Sequence, residues 1–385
     1  VPEDVAVPLL ADHRRASGDQ LGHFLLDQSG ALGHVPGAWS GYADVDMHSV
    51  LGGLASGETR GNRCPRRRAD GAPYGRPEDL CRSGFAFAFA RAQSHSVAAM
   101  TTQTWIITGA SRGFGRALAE SALAAGDHVV AAVRRPDSVA DLAAKYPDNF
   151  LIANFDARDI AAAASLVRAT LDRFGQLDVL VNNAGRAVVG AVEEVSDAQL
   201  RELMDLHLFG PAALVRAALP AMRTRGAGMI VQMSSQGGRM SFPGVSAYSA
   251  SKFALEGWSE ALAGEVAPFG IRVMIVEPSR FRTDFNAADV LEFTEASETY
   301  RDLLAAVRAD MAGTDGRQEG DPTRAAEIIV SLAHSEEVPL RLPLGREAVE
   351  RISGVYRRGL DEVERWAETA RSADFDGVPA SVRPG

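Results

Sequence analysis

Apolar residues fall along this chain in two different ways. Over residues 1–99, Gly, Pro, Arg, Asp and Ser break up every apolar stretch, and neither a helical nor a strand period is sustained. The exception is the alternating Phe-Ala run from Phe85 to Ala90, too short and too far along to serve as an ordinary secretory signal. That stretch reads as a disordered tail or as an extension upstream of a natural start at Met100, with no function of its own.

From Thr104 the pattern becomes regular. Short apolar runs predict strands at Thr104–Thr108, His128–Val133, Phe150–Phe155, Asp178–Asn182, Met229–Met233 and Ile271–Val276. Between them, helical spacing predicts helices after Gly113 to about Ala125, over Asp159–Phe174, from Asp197 to about Met222, and from Tyr248 to about Ala267. Gly126 is the expected stop of the first. Strands that alternate with helices predict an α/β fold, a doubly wound parallel sheet with helices on both faces and ligands at the carboxyl ends of its strands.

Residues 100–385 thus read as one domain. Within it, 286–345 supplies a lid over the substrate side and further C-terminal elements, and 346–385 a closing amphipathic helix and tail. Asn286 to Ala312 is the charged, partly helical lid segment. Asp321-Pro322-Thr323 caps a helix running to His334, and Leu340–Leu344 is an edge strand broken by Pro343.

Composition narrows the chemistry. The net charge of −10 argues against a general nucleic-acid binder, and no apolar run reaches the roughly 20 residues that a membrane span needs. Both cysteines, Cys64 and Cys81, precede Met100, and the His residues beyond it, His128, His207 and His334, lack metal-binding spacing. No metal site is expected. Of 40 basic residues, only Lys145 and Lys252 are lysine.

Lys252 follows Tyr248 by one helical turn, so the two share a helix face. A phenol is a poor acid or base at neutral pH, but a cation beside it favours the phenolate, so the pair makes a usable general acid–base. Ser235, at the end of the Met229 strand, is placed to hold a carbonyl oxygen within reach. Upstream, Gly109, Gly113 and Gly115 lie between a strand and a helix, where backbone amides and the helix N-terminus can meet a pyrophosphate. Arg112 in that loop and Arg134 after the second strand suit a 2′-phosphate. Asn182-Asn183-Ala184-Gly185 is a small-residue turn that lets a ribose come close.

Taken in order, Thr108-Gly109-Ala110-Ser111-Arg112-Gly113-Phe114-Gly115, Asp156, Asn182-Asn183-Ala184-Gly185, Ser235 and Tyr248-Ser249-Ala250-Ser251-Lys252 resemble the classical short-chain dehydrogenase/reductase family over about Thr104–Thr283. The resemblance implies a Rossmann-like domain in which Ser235 orients the substrate oxygen, Tyr248 exchanges the proton, and Lys252 lowers the tyrosine pKa and holds the nicotinamide ribose. It puts the dinucleotide on Gly109, Ser111, Arg112, Gly113, Phe114 and Gly115, with Asp156 and Ala157 by the adenine. Asn183, Ala184 and Gly185 fall by the ribose, and Pro278 and Thr283 by the nicotinamide end. Two positions depart from the family pattern: Ser279 follows Pro278 where Gly is frequent, and His207 stands where a catalytic Asn is usual, as a candidate proton relay.

The expectation is a cytoplasmic oxidoreductase that interconverts a small-molecule carbonyl and an alcohol, prefers NADP(H) to NAD(H), and needs neither nucleic acid nor membrane. The resemblance also allows a homo-oligomer. The alternatives are an NAD-preferring alcohol dehydrogenase of the same fold and a nonenzymatic nucleotide sensor. The sensor would be free to lose Ser235, Tyr248 or Lys252, all of which are present.

Overall fold

The computed structural model describes residues 101–314, 316–379 and 381; the expectations for 1–99 and for a start at Met100 lie outside them. Strands β1 (Thr104–Thr108), β2 (His128–Val133), β3 (Phe150–Asn154), β4 (Val179–Asn182), β6 (Gly228–Met233), β7 (Ile271–Pro278) and β9 (Arg341–Leu344) form one sheet in the order β3-β2-β1-β4-β6-β7-β9. Every pair is parallel. The strand order reverses beside β1, and the crevice at the carboxyl ends of β1 and β4 is where such a sheet binds a nucleotide.

Alternate side chains of each strand feed two separate cores. Trp105, Ile107, Val129, Ala131, Val179 and Val181 pack under helix α1 (Gly113–Ala124) and helix α8 (Pro322–Ala333). On the other face, Ile106, Val130, Leu180 and Ile230 pack against α3 (Ala163–Phe174), α5 (Gly210–Arg225) and α6 (Ser246–Val266). Buried carboxylates tie the first strand at its start. Asp127 accepts from Trp105 Nε1 at 2.9 Å and lies 2.8 Å from His334 Nε2, and Asp178 accepts the Thr104 N–H at 2.7 Å.

Several expected boundaries shift for local reasons. Asp159 does not begin a helix; its carboxylate accepts the N–H groups of Ala161 and Ala162 at 3.1 and 3.2 Å, and α3 starts at Ala163. The single helix expected over Asp197–Met222 is two. Helix α4 (Asp197–Met204), capped by a reciprocal Ser196/Gln199 pair, passes through a π-turn at Asp205–Phe209 into α5. Pro211 has no N–H to give to the His207 carbonyl four residues back, and a side chain on Gly210 would put its Cβ 1.9 Å from the Ala157 carbonyl oxygen.

Pro343 does not break β9. The Ile275 N–H to Leu340 and Ser279 N–H to Leu344 bonds turn even-numbered positions inward, so the missing donor falls on the open edge. The lid segment also holds a strand that periodicity does not reveal. β8 (Leu291–Phe293) pairs in parallel with β5 (Ala187–Val189) as a separate two-stranded sheet, followed by α7 (Arg301–Gly313). The last helix, α9, spans Arg346–Arg371. No helix among the described residues is long and apolar enough to cross a membrane.

Candidate active site

Beyond Met233 the chain leaves the sheet. Ser234 keeps one bond to it, N–H to the Val276 carbonyl at 2.8 Å, and Ser235 Oγ then accepts the Gly237 N–H at 3.0 Å. Opposite stands α6, whose inward face carries Tyr248 and, one turn on, Lys252. Lys252 is buried and its Nζ donates to the Met233 carbonyl at 2.8 Å. Ser235, Tyr248 and Lys252 therefore line the same cleft, as the sequence predicts.

Their electrostatics differ from the expectation that Lys252 lowers the tyrosine pKa. Removal from water pushes the Tyr248 phenol up to about 12, and the Ser235 hydroxyl pulls weakly the other way. Burial also draws Lys252 down to about 7, against the upward pull of Glu256. Desolvation wins because the ammonium sits 5.8 Å from the ring centroid and directs its donor at a backbone carbonyl, not at the phenol.

His207 joins this group edge-on to the Tyr248 ring, with centroids 5.8 Å apart. Its Nδ1 lies 2.8 Å from Ser251 Oγ, which itself donates to the Tyr248 carbonyl at 2.7 Å, so Nδ1 carries the hydrogen. Nε2 accepts the Arg186 N–H at 3.3 Å. Burial first, then the charges of Lys252 and Arg186, hold the ring well below the ordinary histidine pKa. It is a neutral imidazole with both nitrogens engaged, and it does not line the cleft.

The glycine loop forms the floor on the nucleotide side. Gly109 and Gly113 hold φ of +67° and +54°, which L side chains resist. Thr108, to which the sequence assigns no role, is its anchor: Oγ1 accepts the N–H groups of Asn183 and Ala184 at 2.9 and 3.1 Å, while Asn183 Nδ2 donates to the Thr108 carbonyl at 2.9 Å. Gly115 and Gly185 are packing positions and not cleft lining. A Cβ on Gly115 would lie 2.3 Å from the Gly109 carbonyl oxygen, and one on Gly185 3.2 Å from His207 Nε2. The remaining expected cofactor residues border two adjoining hollows. Gly113, Phe114, Asn183, Pro278 and Thr283 border the one holding Tyr248. Gly109, Ser111, Arg134, Asp156, Ala157 and Ala184 border the other, and Arg112 borders both.

The second hollow is polar and fits the phosphate and adenosine part of a dinucleotide. Arg112 is forked onto Asp289 at 2.9 and 2.7 Å, and Asp156 is paired with Arg158 at 2.7 Å. Arg134 and the neighbouring Arg135 have no carboxylate partner among the described residues. Ser279, the departure after Pro278, ties the ends of β7 and β9 together through Oγ to the Leu344 carbonyl at 3.2 Å.

The other hollow, of about 250 Å³, is walled by Phe242, Val245, Phe285, Val290 and Met311. Its roof is tied down in part by a carboxylate that the sequence does not single out. Glu194 accepts the Ala191 and Ser297 N–H groups at 3.0 and 2.9 Å and pairs with Arg308 at 2.8 Å. Those backbone donors draw its pKa down to about 2. No sequence spacing announces a partner more than 100 residues away.

Comparison with known proteins agrees with this fold. The family model described as short chain dehydrogenase matches residues 103–292. Oxidoreductase BOA17 of Botryotinia fuckeliana is 35% identical over 268 residues, 69% of this chain and 97% of that protein. A 3-ketodihydrosphingosine reductase of Bacteroides thetaiotaomicron is 33% identical over 249 residues, 64% of this chain and 89% of its own. Among solved structures, a short-chain dehydrogenase from Streptomyces avermitilis is 46% identical with a TM-score of 0.68, covering 71% of this chain and all of that one (100%).

Proposed function

Since the chain belongs to the short-chain dehydrogenase family and is an oxidoreductase of that nicotinamide-dependent kind, we propose that it interconverts a carbonyl and a secondary alcohol, with NADP(H) preferred over NAD(H). The observation that carries this reading is the meeting of Ser235, Tyr248 and Lys252 in one cleft with the glycine loop. The nicotinamide ring, when bound, supplies or accepts the hydride.

The chain's own residues handle the oxygen and the proton. Ser235 and Tyr248 hydrogen-bond the substrate oxygen, and the phenol, raised to about 12, carries its proton at neutral pH, the state that reduction requires. As the carbonyl becomes an alkoxide, that proton passes to it, and the ammonium of Lys252 stabilises the phenolate left behind. Neutral His207, bonded to Ser251, which in turn donates to the Tyr248 carbonyl, keeps the candidate relay position. The apolar walls favour a substrate whose bulk is hydrocarbon. A cytoplasmic location goes with this reading, since a soluble nicotinamide pool is available there.

The cofactor preference rests on Arg134 and Arg135, unpartnered beside an Asp156 that Arg158 neutralises. The test is a panel of apolar ketones and alcohols assayed with NADPH, NADH and their oxidised forms. Tyr248→Phe should remove most turnover, about a hundredfold or more, and leave cofactor affinity nearly intact. Equal efficiency with NADPH and NADH would refute the preference, and a fully active Tyr248→Phe variant would refute the chemistry.

A further inference from the structure

Behind the Tyr248–Lys252 face lies a second set of buried ionisable groups that the reaction above does not use. Glu256 and Glu277 are 1% and 0% exposed. Glu256 sits one turn beyond Lys252 on the same buried face of α6, and Glu277 is near the end of β7. Arg239, from the loop after Ser235, and Arg341, from β9, approach both: 3.5 and 3.4 Å from Glu256, 3.9 and 3.5 Å from Glu277. Burial first, and then the neighbouring Glu256, hold Glu277 above the usual carboxylate range.

Glu256 reaches the active site through one bond. Glu256 Oε1 accepts from Ser234 Oγ at 2.6 Å. Ser234 stands between Met233, whose carbonyl receives Lys252 Nζ, and Ser235. The loop makes room for this carboxylate: a Cβ on Gly238 would lie 2.3 Å from Glu256 Oε1 and 2.5 Å from Ser234 Oγ.

We propose that Glu256 is a positioning residue for this reaction: through Ser234 it fixes the strand end bearing the lysine's acceptor and Ser235, and it sets a carboxylate one helical turn from Lys252 on the same buried face. This rests on the Tyr/Lys reading above. Lys252 is faced by Tyr248 and Glu256 from its own helix, by neutral His207 from the π-turn with Arg186 beyond it, and by the Met233 carbonyl from β6. Of these, Glu256 is the group that raises the lysine pKa. Glu256 in turn is faced by Arg239, Arg341 and Glu277, and Glu260 on its own helix pairs with Arg341 at 2.9 Å.

Lys145 and Lys252 are the chain's two lysines. Protein carrying ¹³C at lysine Cε on a Lys145→Arg background therefore gives one lysine signal, whose titration reports Lys252 without any turnover. Glu256→Gln should move that midpoint down by about one pH unit, and Glu256→Asp, which keeps the charge, should restore most of it. Ser234→Ala should leave the midpoint in place yet lower kcat about tenfold with cofactor Kd unchanged, as expected for losing a hydrogen bond to a charged group. An unmoved midpoint in Glu256→Gln overturns the electrostatic half, and wild-type kcat in Ser234→Ala overturns the positioning half. Should Glu256→Gln not fold, Glu256→Ala replaces it in the lysine titration with the same two outcomes, and Ser234→Ala still decides the clamp. If instead Tyr248→Phe stays active, the Tyr/Lys reading falls while the lysine signal still reports on Glu256.

Discussion

The glycine loop and the roof of the substrate hollow are held in different ways. The loop is held by uncharged groups at close quarters: strand β1 delivers Thr108, whose hydroxyl and carbonyl hold the Asn183 turn, and Gly115 leaves room for the Gly109 carbonyl. The roof, 284–314, adds charge to its β5–β8 ladder, with Glu194 taking donors from Ala191, Ser297 and Arg308. A loop packed this closely tolerates no added atom but needs no particular charge. A roof pinned in part by an ion pair tolerates changes of shape better and loosens when that charge is lost.

The largest effect should come from adding an atom to the loop. Gly115→Ala drives a Cβ against the Gly109 carbonyl, and an overpacking cost of roughly 1–3 kcal/mol corresponds to a cofactor Kd raised by up to about a hundredfold. Fluorescence titration with NADPH checks it; an unchanged Kd would mean that the loop is not closely packed. Next, Arg134→Asp should cut the NADPH-over-NADH ratio of kcat/KM by about tenfold to a hundredfold, since a hydrogen bond to a charged group is worth about 1.5–3 kcal/mol. It removes charge where Gly115→Ala adds bulk, and cofactor kinetics tell the two apart.

On the roof, Glu194→Gln should raise KM for an apolar ketone by about tenfold with cofactor Kd unchanged. Because Glu194 titrates at about 2, its contribution is present above the ordinary carboxylate range and lost as pH falls towards that value, so KM should be flat through neutrality in the unmodified protein. An equal change in cofactor Kd would erase the distinction between the two regions.

A pH-dependent effect belongs to a buried carboxyl outside both regions. Glu277, raised to about 8, contributes stability that is complete below the usual carboxylate pKa and is lost as pH climbs to that value. Gln cannot ionise, so Tm of Glu277→Gln should gain on the unmodified protein from about pH 5 to pH 8. Lys252, depressed to about 7, acts in the opposite sense but is common to both proteins and cancels in the difference.

What the sequence makes legible follows the same division. β1 and β2 carry unbroken apolar centres, Trp105–Ile107 and Val129–Val133, between polar turns, and the strand-end motifs that follow them lie where the crossover topology must put them. The π-turn had a visible cause in Pro211, yet helical periodicity runs straight through it. β5 and β8 are three residues each and pair across the cleft, so no local period marks them. The raised pKa of Tyr248 is hidden from the sequence for a related reason: one-turn spacing gives adjacency to Lys252, but the water removed from both groups depends on the whole cleft.

The fork between Arg112 and Asp289 joins the two regions across the mouth of the nucleotide hollow. Both partners are partly exposed, so the pair is worth at most about 1 kcal/mol and weakens with salt. It behaves as a latch whose tightness is set by the medium. Added salt should therefore quicken escape of bound nucleotide by no more than about fivefold, and Asp289→Asn should make that escape fast already at low ionic strength and indifferent to salt thereafter.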